Sequence, residues 1–359
     1  MPIAIVAVMP RPTLKLNRFI MFVALALLLF CATHGAVAQY TPLISGGGGF
    51  FDTSNPGDKV TYTPIIEPMA AAPIGSHLLI ESRASLVESV APNSGDQPGY
   101  GHTHFIGLTY LQGDYIASPH FTIVGGTFLL PFNTYNERLS PIWIGNFLSG
   151  PLIGALGLLG TGSGTGGMVR GNAVSHRKYS IDYATWFSSR DGNKYFNSER
   201  SSGGRSSLYL PDQRLEIGLS YDRLLQGTHE NFYGMHVWWE PKDTAFRLRG
   251  EFGRGHHAQG YWLEADYRTQ AFGGLNSFLG RFEPLVRMQQ TYRRDTLFSD
   301  SLPLVNTERI DFGLDYNLPH NLRILSSYSR QFASTGNKNI WQTGIVYRFL
   351  FPAWKGKSS

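Results

Sequence analysis

Charged side chains recur at alternate positions along the second half of the sequence. In one segment, for example, Leu248 and Gly250 separate Arg247, Arg249 and Glu251. A spacing of two places side chains on one face of a β-strand, and rings of charge around a water-filled lumen bias which ions enter it. The same charges can instead pair across strands and stabilise the wall, each pair by roughly 0.2 to 1 kcal/mol. The candidate lumen-facing residues are Arg214, Glu216, Arg247, Arg249, Glu251, Glu264, Asp266, Arg268, Arg287, Arg309, Asp311 and Arg323.

The charged rows belong to segments in which apolar residues alternate with them. Tyr261, Leu263 and Ala265 oppose Glu264 and Asp266, and about twelve such segments follow one another from residue 76 onward. Most can extend to about ten residues, the length that a tilted strand needs to cross a hydrocarbon core. The pattern predicts an all-β protein, a transmembrane antiparallel up-and-down β-barrel of about 12 to 16 strands over residues 76–349.

The connections between these segments differ in length. Residues 240–243 and 317–320 are tight turns, whereas residues 188–212 and 297–307 are long and polar. Short turns at one end and long loops at the other are typical of outer-membrane barrels. A soluble β-sandwich or propeller would also contain alternating strands, but aromatic residues at strand ends, such as Trp239, favour girdles at a membrane interface.

The composition fits an exported barrel. The 359 residues are 13% aromatic and only 16% charged, against about 25% charged in typical soluble domains. An apolar run at residues 19–31 follows three basic residues and precedes a small-x-small sequence, Ala-Val-Ala, at 36–38. This predicts a secretory signal peptide over residues 1–38, with a short membrane anchor as the alternative. Its removal lowers the formal charge from +5 to +2 and takes away the only cysteine, Cys31. No remaining stretch is basic enough to predict nucleic-acid binding.

Two flanking segments are expected to lie outside the barrel. Residues 39–75 contain a run of four glycines at 46–49 and several prolines, which predicts a Gly/Pro-rich N-terminal linker or partly ordered segment. Residues 350–359 end in Lys-Gly-Lys-Ser-Ser and are expected to form a C-terminal tail after the last strand.

Residues 131–174 interrupt the alternation. Glu137 and Arg138 follow Pro131 closely, and an apolar stretch precedes a glycine-rich one at 160–167. Such an insertion can fold into the lumen as a constriction or plug, with Glu137 and Arg138 as candidate constriction residues, or it can form a surface loop. The sequence leaves both interpretations open.

Three short motifs are outweighed by their context. Gly162, Gly164 and Gly167 have the spacing of a dinucleotide-binding loop, but no strand-to-helix unit surrounds them. The histidine pairs at 102/104 and 256/257 lack a third ligand at a recognisable distance, so no metal site is predicted. No nucleophile and base stand out. The sequence therefore predicts neither a cofactor nor an enzyme.

Two segments resemble a known family. Residues 125–133 (GGTFLLPFN) and 135–141 (YNERLSP) resemble the strand-and-loop signature of phosphate-selective-porin-like (porin O/P-like) outer-membrane proteins, and residues 340–349 are similar to the final strand of outer-membrane barrels. The resemblance implies a bacterial outer-membrane location, contact with outer-membrane lipid and insertion by the barrel-assembly machinery. An apolar outer face would fit a homotrimer as well as lipid. Because the predicted inner face mixes both signs of charge, phosphate selectivity is not expected.

Together these features predict a porin-like channel for passive diffusion of small solutes or ions. The alternative is a non-conducting structural or surface-binding barrel, which would follow if residues 131–174 filled the lumen. An outer-membrane hydrolase is the third hypothesis, and it requires a nucleophile and a base to converge in the folded protein.

Overall fold

The computed structural model describes residues 41–55, 59–93, 99–153, 162–189, 200–227, 229–274, 276–295 and 302–353. The predicted signal peptide over residues 1–38 lies outside the described residues, as do residues 354–359 of the predicted tail. In the part of the chain that is described, no helix is long and apolar enough to cross a membrane.

The described residues form sixteen strands. The second, third and fourth of these have 16, 15 and 19 residues. The strands are β1 (Leu43–Asn55), β2 (Lys59–Ile74), β3 (Leu78–Pro92), β4 (Tyr100–Ser118), β5 (Phe121–Leu129), β6 (Ser163–His176), β7 (Tyr179–Ser189), β8 (Ser201–Leu210), β9 (Leu215–Leu224), β10 (Asn231–Trp239), β11 (Phe246–Arg254), β12 (Ala258–Tyr267), β13 (Phe282–Arg293), β14 (Thr307–Leu318), β15 (Leu322–Ala333) and β16 (Lys338–Pro352). Three single helical turns lie between strands, at Tyr135–Leu139, Thr269–Phe272 and Leu279–Arg281.

The sheet closes on itself. Each strand pairs antiparallel with its neighbours in sequence, and β1 pairs with both β2 and β16, so that Gly47 lies opposite Glu67 on one side and Arg348 on the other. Closure removes the unpaired edges that β structure cannot present to lipid. The predicted all-β, antiparallel up-and-down barrel is confirmed, with sixteen strands at the upper end of the predicted range. The sandwich and propeller alternatives do not describe this topology.

Burial is inverted relative to a soluble protein. The outward side chains of Leu219 and Met288 are 65% and 53% exposed, whereas the inward guanidinium-bearing Arg287 is 2% exposed. Strands with apolar residues outside and polar residues inside are the pattern of a transmembrane barrel. The alternation that the sequence shows is therefore an alternation between the lipid-facing surface and the barrel interior.

The two ends of the barrel differ. At one end, the short-turn end, β2–β3, β4–β5, β6–β7 and β14–β15 are joined by two or three residues. The longest connection at that end, between β12 and β13, carries two of the helical turns. The opposite, long-loop end carries the connections over residues 130–162, 190–200 and 294–306. The first of these, between β5 and β6, matters most for function.

The interpretation of residues 39–75 as a linker is wrong, because this region forms β1 and β2. The glycine run has no alternation of apolar and polar side chains. Each glycine nevertheless has a backbone N–H and C=O that can form the hydrogen bonds of the sheet. A Cβ atom on Gly47 would lie 2.7 Å from the ring of Trp143, so glycine is the residue that admits this ring against the inner wall. The tail is also shorter than expected, since β16 continues to Pro352.

Candidate functional site

The connection between β5 and β6 folds into the barrel interior, and its described residues 130–153 are called the inserted segment. Near its start the segment is held by β11, more than a hundred residues away in sequence. Oε1 of Glu251 accepts hydrogen bonds from the backbone N–H groups of Thr134 (2.7 Å) and Tyr135 (2.6 Å) and from the Thr134 hydroxyl (2.8 Å). Its Oε2 accepts a fourth from the Trp262 indole at 3.2 Å. One buried carboxylate thus anchors the start of the segment.

The segment then crosses to the opposite wall. The backbone N–H of Ile142 donates to the Glu67 carboxylate on β2 at 3.1 Å, and Arg83 on β3 donates to the Ser140 hydroxyl at 3.0 Å. Trp143 lies against Gly47 on β1. Anchors on β11 and on β1–β3 cannot both be reached from the rim of the barrel, so the described part of the segment spans the lumen.

Farther along, the segment returns to β13 and β14. The Ser149 carbonyl accepts a hydrogen bond from Arg287 at 2.9 Å, the Ser149 hydroxyl accepts one from Arg309 at 3.1 Å, and the N–H of Leu152 donates to Gln289 at 2.7 Å. Glycines on the inner wall leave room for this path. A Cβ atom there would meet Asn133 at Gly234, Ile153 at Gly260 and Phe147 at Gly313. The choice between inserted and surface loop is therefore decided for residues 130–153.

Most of the predicted lumen-facing charges lie on β11–β15 and pair with one another. Five arginines face five carboxylates in what is called the inner charge lattice. Its ion pairs are Arg247 with Asp266 (2.8 Å) and Glu283 (3.0 Å), Arg249 with Glu264 (3.0 Å from Nε), Arg287 with Asp311 (2.8 Å), Arg309 with Asp311 (3.0 Å) and Arg323 with Asp315 (3.6 Å). All ten side chains are at most 14% exposed.

The arginines of the inner charge lattice also donate hydrogen bonds to the inserted segment. The guanidinium groups of Arg287, Arg309 and Arg323 use their remaining N–H donors on the segment's oxygens, the last on the Gly145 carbonyl. Because these charges are buried and matched in number, they neutralise one another locally. Removing one partner of such a buried pair costs about 3 to 5 kcal/mol.

A second group of charges lies on the other side of the segment, and two of its arginines are more exposed than any side chain of the lattice. Glu137 pairs with Arg205 on β8 at 2.6 Å, and Arg138 pairs with Glu216 on β9 at 2.6 and 3.0 Å. Arg170 on β6 contacts Asp114 on β4 and lies 4.0 Å from Glu137. The side chains of Arg138 and Arg170 are 38% and 37% exposed. These six residues, Asp114, Glu137, Arg138, Arg170, Arg205 and Glu216, are called the exposed cluster.

Two titrating groups of the inserted segment are shifted by their surroundings. Burial raises the pKa of the Tyr135 hydroxyl to about 12, with smaller effects from the charges around it. Burial alone would lower the pKa of Arg138, but the hydrogen bond and charge of Glu216 outweigh it and raise that pKa above its ordinary value. Tyr135 thus stays neutral and Arg138 stays charged over the physiological pH range.

The remaining predicted residues lie at the short-turn end. Arg214 pairs with Glu240 at 3.4 Å, and Arg268 lies 4.0 Å from Glu283, with both arginines more than 40% exposed. Arg268 also lines a cavity of about 530 Å³ that opens at this end, beside Trp143 of the inserted segment. These residues occupy the mouth of the barrel at the short-turn end.

Sequence reasoning missed Arg170, Arg205 and Asp114. Arg170 and Arg205 lie on β6 and β8, which are rich in glycine and serine and therefore lack an apolar alternation. One pattern in the sequence could have indicated Arg205. It shares an inward face with Ser207 in an otherwise uncharged strand. The histidine pairs do not converge, and no group of three or more His, Cys, Asp or Glu side chains among the described residues is arranged to hold a metal ion.

Comparison with known proteins gives the fold. No family model and no curated protein sequence matches this chain. Among solved structures, an anion-selective porin from Comamonas acidovorans is similar with a TM-score of 0.54 and 12% identity, over 87% of this chain and 99% of that one. OmpF of Salmonella typhi, in complex with daunomycin, has a TM-score of 0.57 and 13% identity, over 86% of this chain and 97% of that one. OprB of Pseudomonas putida has a TM-score of 0.55 and 9% identity, over 86% of this chain and 92% of that one. The chain has the fold of these porins.

Proposed function

We propose that this protein is a porin-like channel through which small solutes or ions diffuse passively across a bacterial outer membrane. The observation that carries the proposal is the exposure of Arg138 and Arg170 at the level where the inserted segment crosses the barrel. The segment packs tightly against β11–β15 but leaves these charges in contact with solvent between β4 and β9. Charges that line a narrowed aqueous path determine which ions pass.

The two groups of charges then have different roles. The exposed cluster lines the constriction and is the part of the inner surface that a solute meets. The inner charge lattice holds the segment and the wall together, because its members are buried and paired. Of the residues predicted to line the pore, Glu216 belongs to the constriction, Arg214 and Arg268 to the short-turn mouth, and the lattice residues to the wall.

The proposed kinship to phosphate-selective-porin-like proteins rests on the residues that place the segment. The similar stretches, residues 125–133 and 135–141, include the end of β5 and the anchoring turn with Asn133, Tyr135, Glu137 and Arg138. The last strand carries outward Trp341, at 58% exposure, which supports contact with lipid. The similarity of residues 340–349 to the final strand of outer-membrane barrels supports insertion by the barrel-assembly machinery. The outer apolar surface is equally compatible with a homotrimer.

One observation favours a second candidate, a non-conducting structural or surface-binding barrel. The inserted segment touches β1, β2 and β3 as well as β9, β11, β13 and β14, so it covers much of the cross-section. If the space beside the exposed cluster is too narrow for hydrated ions, the same contacts make a plug.

Single-channel recording separates the two candidates. The chain from residue 39 onward, refolded and inserted in a planar bilayer under a salt gradient, is expected to give stable ohmic steps. The sign of the reversal potential will show whether arginines or carboxylates of the exposed cluster dominate selectivity. Silence from protein whose insertion is shown by protection from protease would overturn the channel and favour the plugged barrel.

A further inference from the structure

A short motif recurs where the strands that run towards the long-loop end terminate. Four alternate strands, β9, β11, β13 and β15, each carry an aromatic residue followed two positions later by arginine at or near that end. The pairs are Tyr221 with Arg223, Phe252 with Arg254, Tyr292 with Arg294 and Tyr328 with Arg330. Residues two apart on a strand share one face, so each ring and its arginine lie on the same side of the wall.

That side is the outer one. Asp222 and Arg293, the neighbours of Arg223 and Arg294, are buried inward residues, whereas Tyr221 and Tyr292 are 38% and 40% exposed. In each pair the arginine lies farther towards the long-loop end than the ring. The four arginines, Arg223, Arg254, Arg294 and Arg330, are called the outer arginine belt. Alternate strands lie about 10 Å apart across the sheet. Along the strands, Arg254 lies in the register row of Tyr221 and Tyr292, two residues short of Arg223 and Arg294, whereas Arg330 lies in the row of Met288, six residues short of Arg294.

The belt continues beyond β9. Arg200, immediately before β8, stacks over the ring of Phe187, whose side chain is on the outer face at 46% exposure, with 5.8 Å between guanidinium carbon and ring centroid. Farther round the barrel the outer charges change sign. The Asp52 carboxylate on β1 accepts a hydrogen bond from the Thr343 hydroxyl, and Glu88 on β3 pairs with His102 at 2.9 Å. The basic surface is therefore an arc over β8–β15 rather than a complete ring.

The belt differs from the interior in how its charge is balanced within the described residues. Among the described residues, none of its four arginines forms an ion pair with a carboxylate. The polar contacts are uncharged, between Arg294 and Gln259 at 3.2 Å and between Arg330 and Asn339 at 2.5 Å. One outer carboxylate of this arc, Glu308 on β14, accepts a hydrogen bond from Gln290. Four guanidinium groups thus point outward with donors available.

We propose that the outer arginine belt binds the phosphate groups of anionic lipid headgroups in the leaflet at the long-loop end. Guanidinium groups bind phosphate with two parallel hydrogen bonds. Tyrosine rings favour the boundary between hydrocarbon and headgroups, so the tyrosines below the belt set the arginines at headgroup depth. Arg223, Arg254 and Arg294 lie within two residues of one another in register, which suits a headgroup with more than one phosphate, bridged by neighbouring arginines. The inference rests on the proposed membrane location but not on conduction.

The test compares lipids and charge-matched variants. Native mass spectrometry of the refolded chain is performed with lipid A, whose sugar headgroup bears two phosphates, with dephosphorylated lipid A and with phosphatidylglycerol. The variants are Arg223→Gln/Arg254→Gln/Arg294→Gln and a control, Arg177→Gln/Lys178→Gln/Lys242→Gln, which removes three exposed positive charges from the short-turn end. We expect lipid A to bind at least tenfold more tightly than its dephosphorylated form, and only the belt variant to lose this difference.

Each other outcome overturns the proposal or part of it. Equal affinity for the phosphorylated and dephosphorylated lipid, or equal loss in both variants, refutes a phosphate-binding belt. Displacement of lipid A by inorganic phosphate at equal concentration assigns the arginines to the free ion instead. Stronger binding of phosphatidylglycerol than of lipid A refutes the bridging of two phosphates. Conductance of the same preparations is recorded in lipid-A-free bilayers, so that failure as a channel is seen separately from failure to bind lipid.

Discussion

The arginines of this barrel form two populations that differ in what balances their charge. On the inner wall, Arg287 and Arg309 are nearly inaccessible and each lies within 3.0 Å of the Asp311 carboxylate. On the outer wall, Arg223 and Arg254 are exposed and have no ion-pair partner among the described residues. A charge taken away from water must be matched within the chain, whereas a charge at the rim can be matched by its surroundings. The position of each arginine therefore indicates its role.

The largest expected effect comes from removing an inner carboxylate. Asp311→Ala leaves Arg287 and Arg309 buried without their shared partner, and should lower the free energy of unfolding by about 3 to 5 kcal/mol. The matched control is Glu308→Ala, on the same strand but on the outer face, for which we expect a change within about 0.5 kcal/mol. Urea unfolding in detergent measures both. Similar losses for the two variants would contradict the distinction between the walls.

A second variant removes the anchor of the inserted segment. Glu251→Ala deprives the N–H groups of Thr134 and Tyr135 and the Trp262 indole of their acceptor, and each buried group left unbonded costs about 1 to 3 kcal/mol. We expect lower stability together with larger and noisier conductance steps, because the segment is released from β11. Single-channel recording beside Glu308→Ala provides the comparison. Unchanged conductance with reduced stability would show that the segment does not depend on this anchor.

The glycines of β1 allow the two faces to be compared at adjacent residues. Gly47→Leu places a side chain against Trp143 of the inserted segment, and overpacking of this kind costs about 1 to 3 kcal/mol. Gly48→Leu points outward, where a Cβ atom meets only the Ile65 carbonyl at 3.9 Å, and should be tolerated. Thermal unfolding of both variants measures the difference. If Gly48→Leu were the more damaging, the path of the segment along β1 would be wrong.

The smallest expected effect concerns selectivity. Arg170→Gln removes one positive charge from the exposed cluster, and a unit charge at 4 Å in water is worth about 1 kcal/mol. Anion permeability should therefore fall and cation permeability rise, each by up to about fivefold, seen as a shift of the reversal potential towards cation preference. Arg254→Gln changes the same charge on the outer belt and should leave the reversal potential unchanged. A shift of equal size in both variants would show that the exposed cluster does not line the pore.

The fold was predictable where side chains alternate. On β11–β15 the period of two separates apolar outer residues from charged inner ones, so strand positions and inward faces follow directly from the sequence. On β1, β6 and β8 the same backbone pairing is made by glycine and serine, which carry no such period. A barrel strand needs backbone hydrogen bonds but not a hydrophobic pattern, and this is why those strands were missed.

The candidate site was predictable only in part. Glu137 and Arg138 were singled out because they follow a break in the alternation, but their partners, Arg205 and Glu216, are 68 and 78 residues away. Nothing local specifies such pairs, since they depend on how far the inserted segment reaches across the lumen. The same holds for Glu251, whose role as an anchor appears only once the segment is in place.

The central claim is that the inserted segment narrows the lumen without closing it. Swelling of proteoliposomes in sugars of graded size tests this directly, with the intact chain compared with a variant in which residues 134–150 are replaced by a short Gly-Ser linker. We predict that the intact chain admits small sugars and excludes larger ones, and that the variant admits both. An intact chain that admits no sugar or salt, beside a variant that admits both, would show that the segment is a plug and would contradict the account.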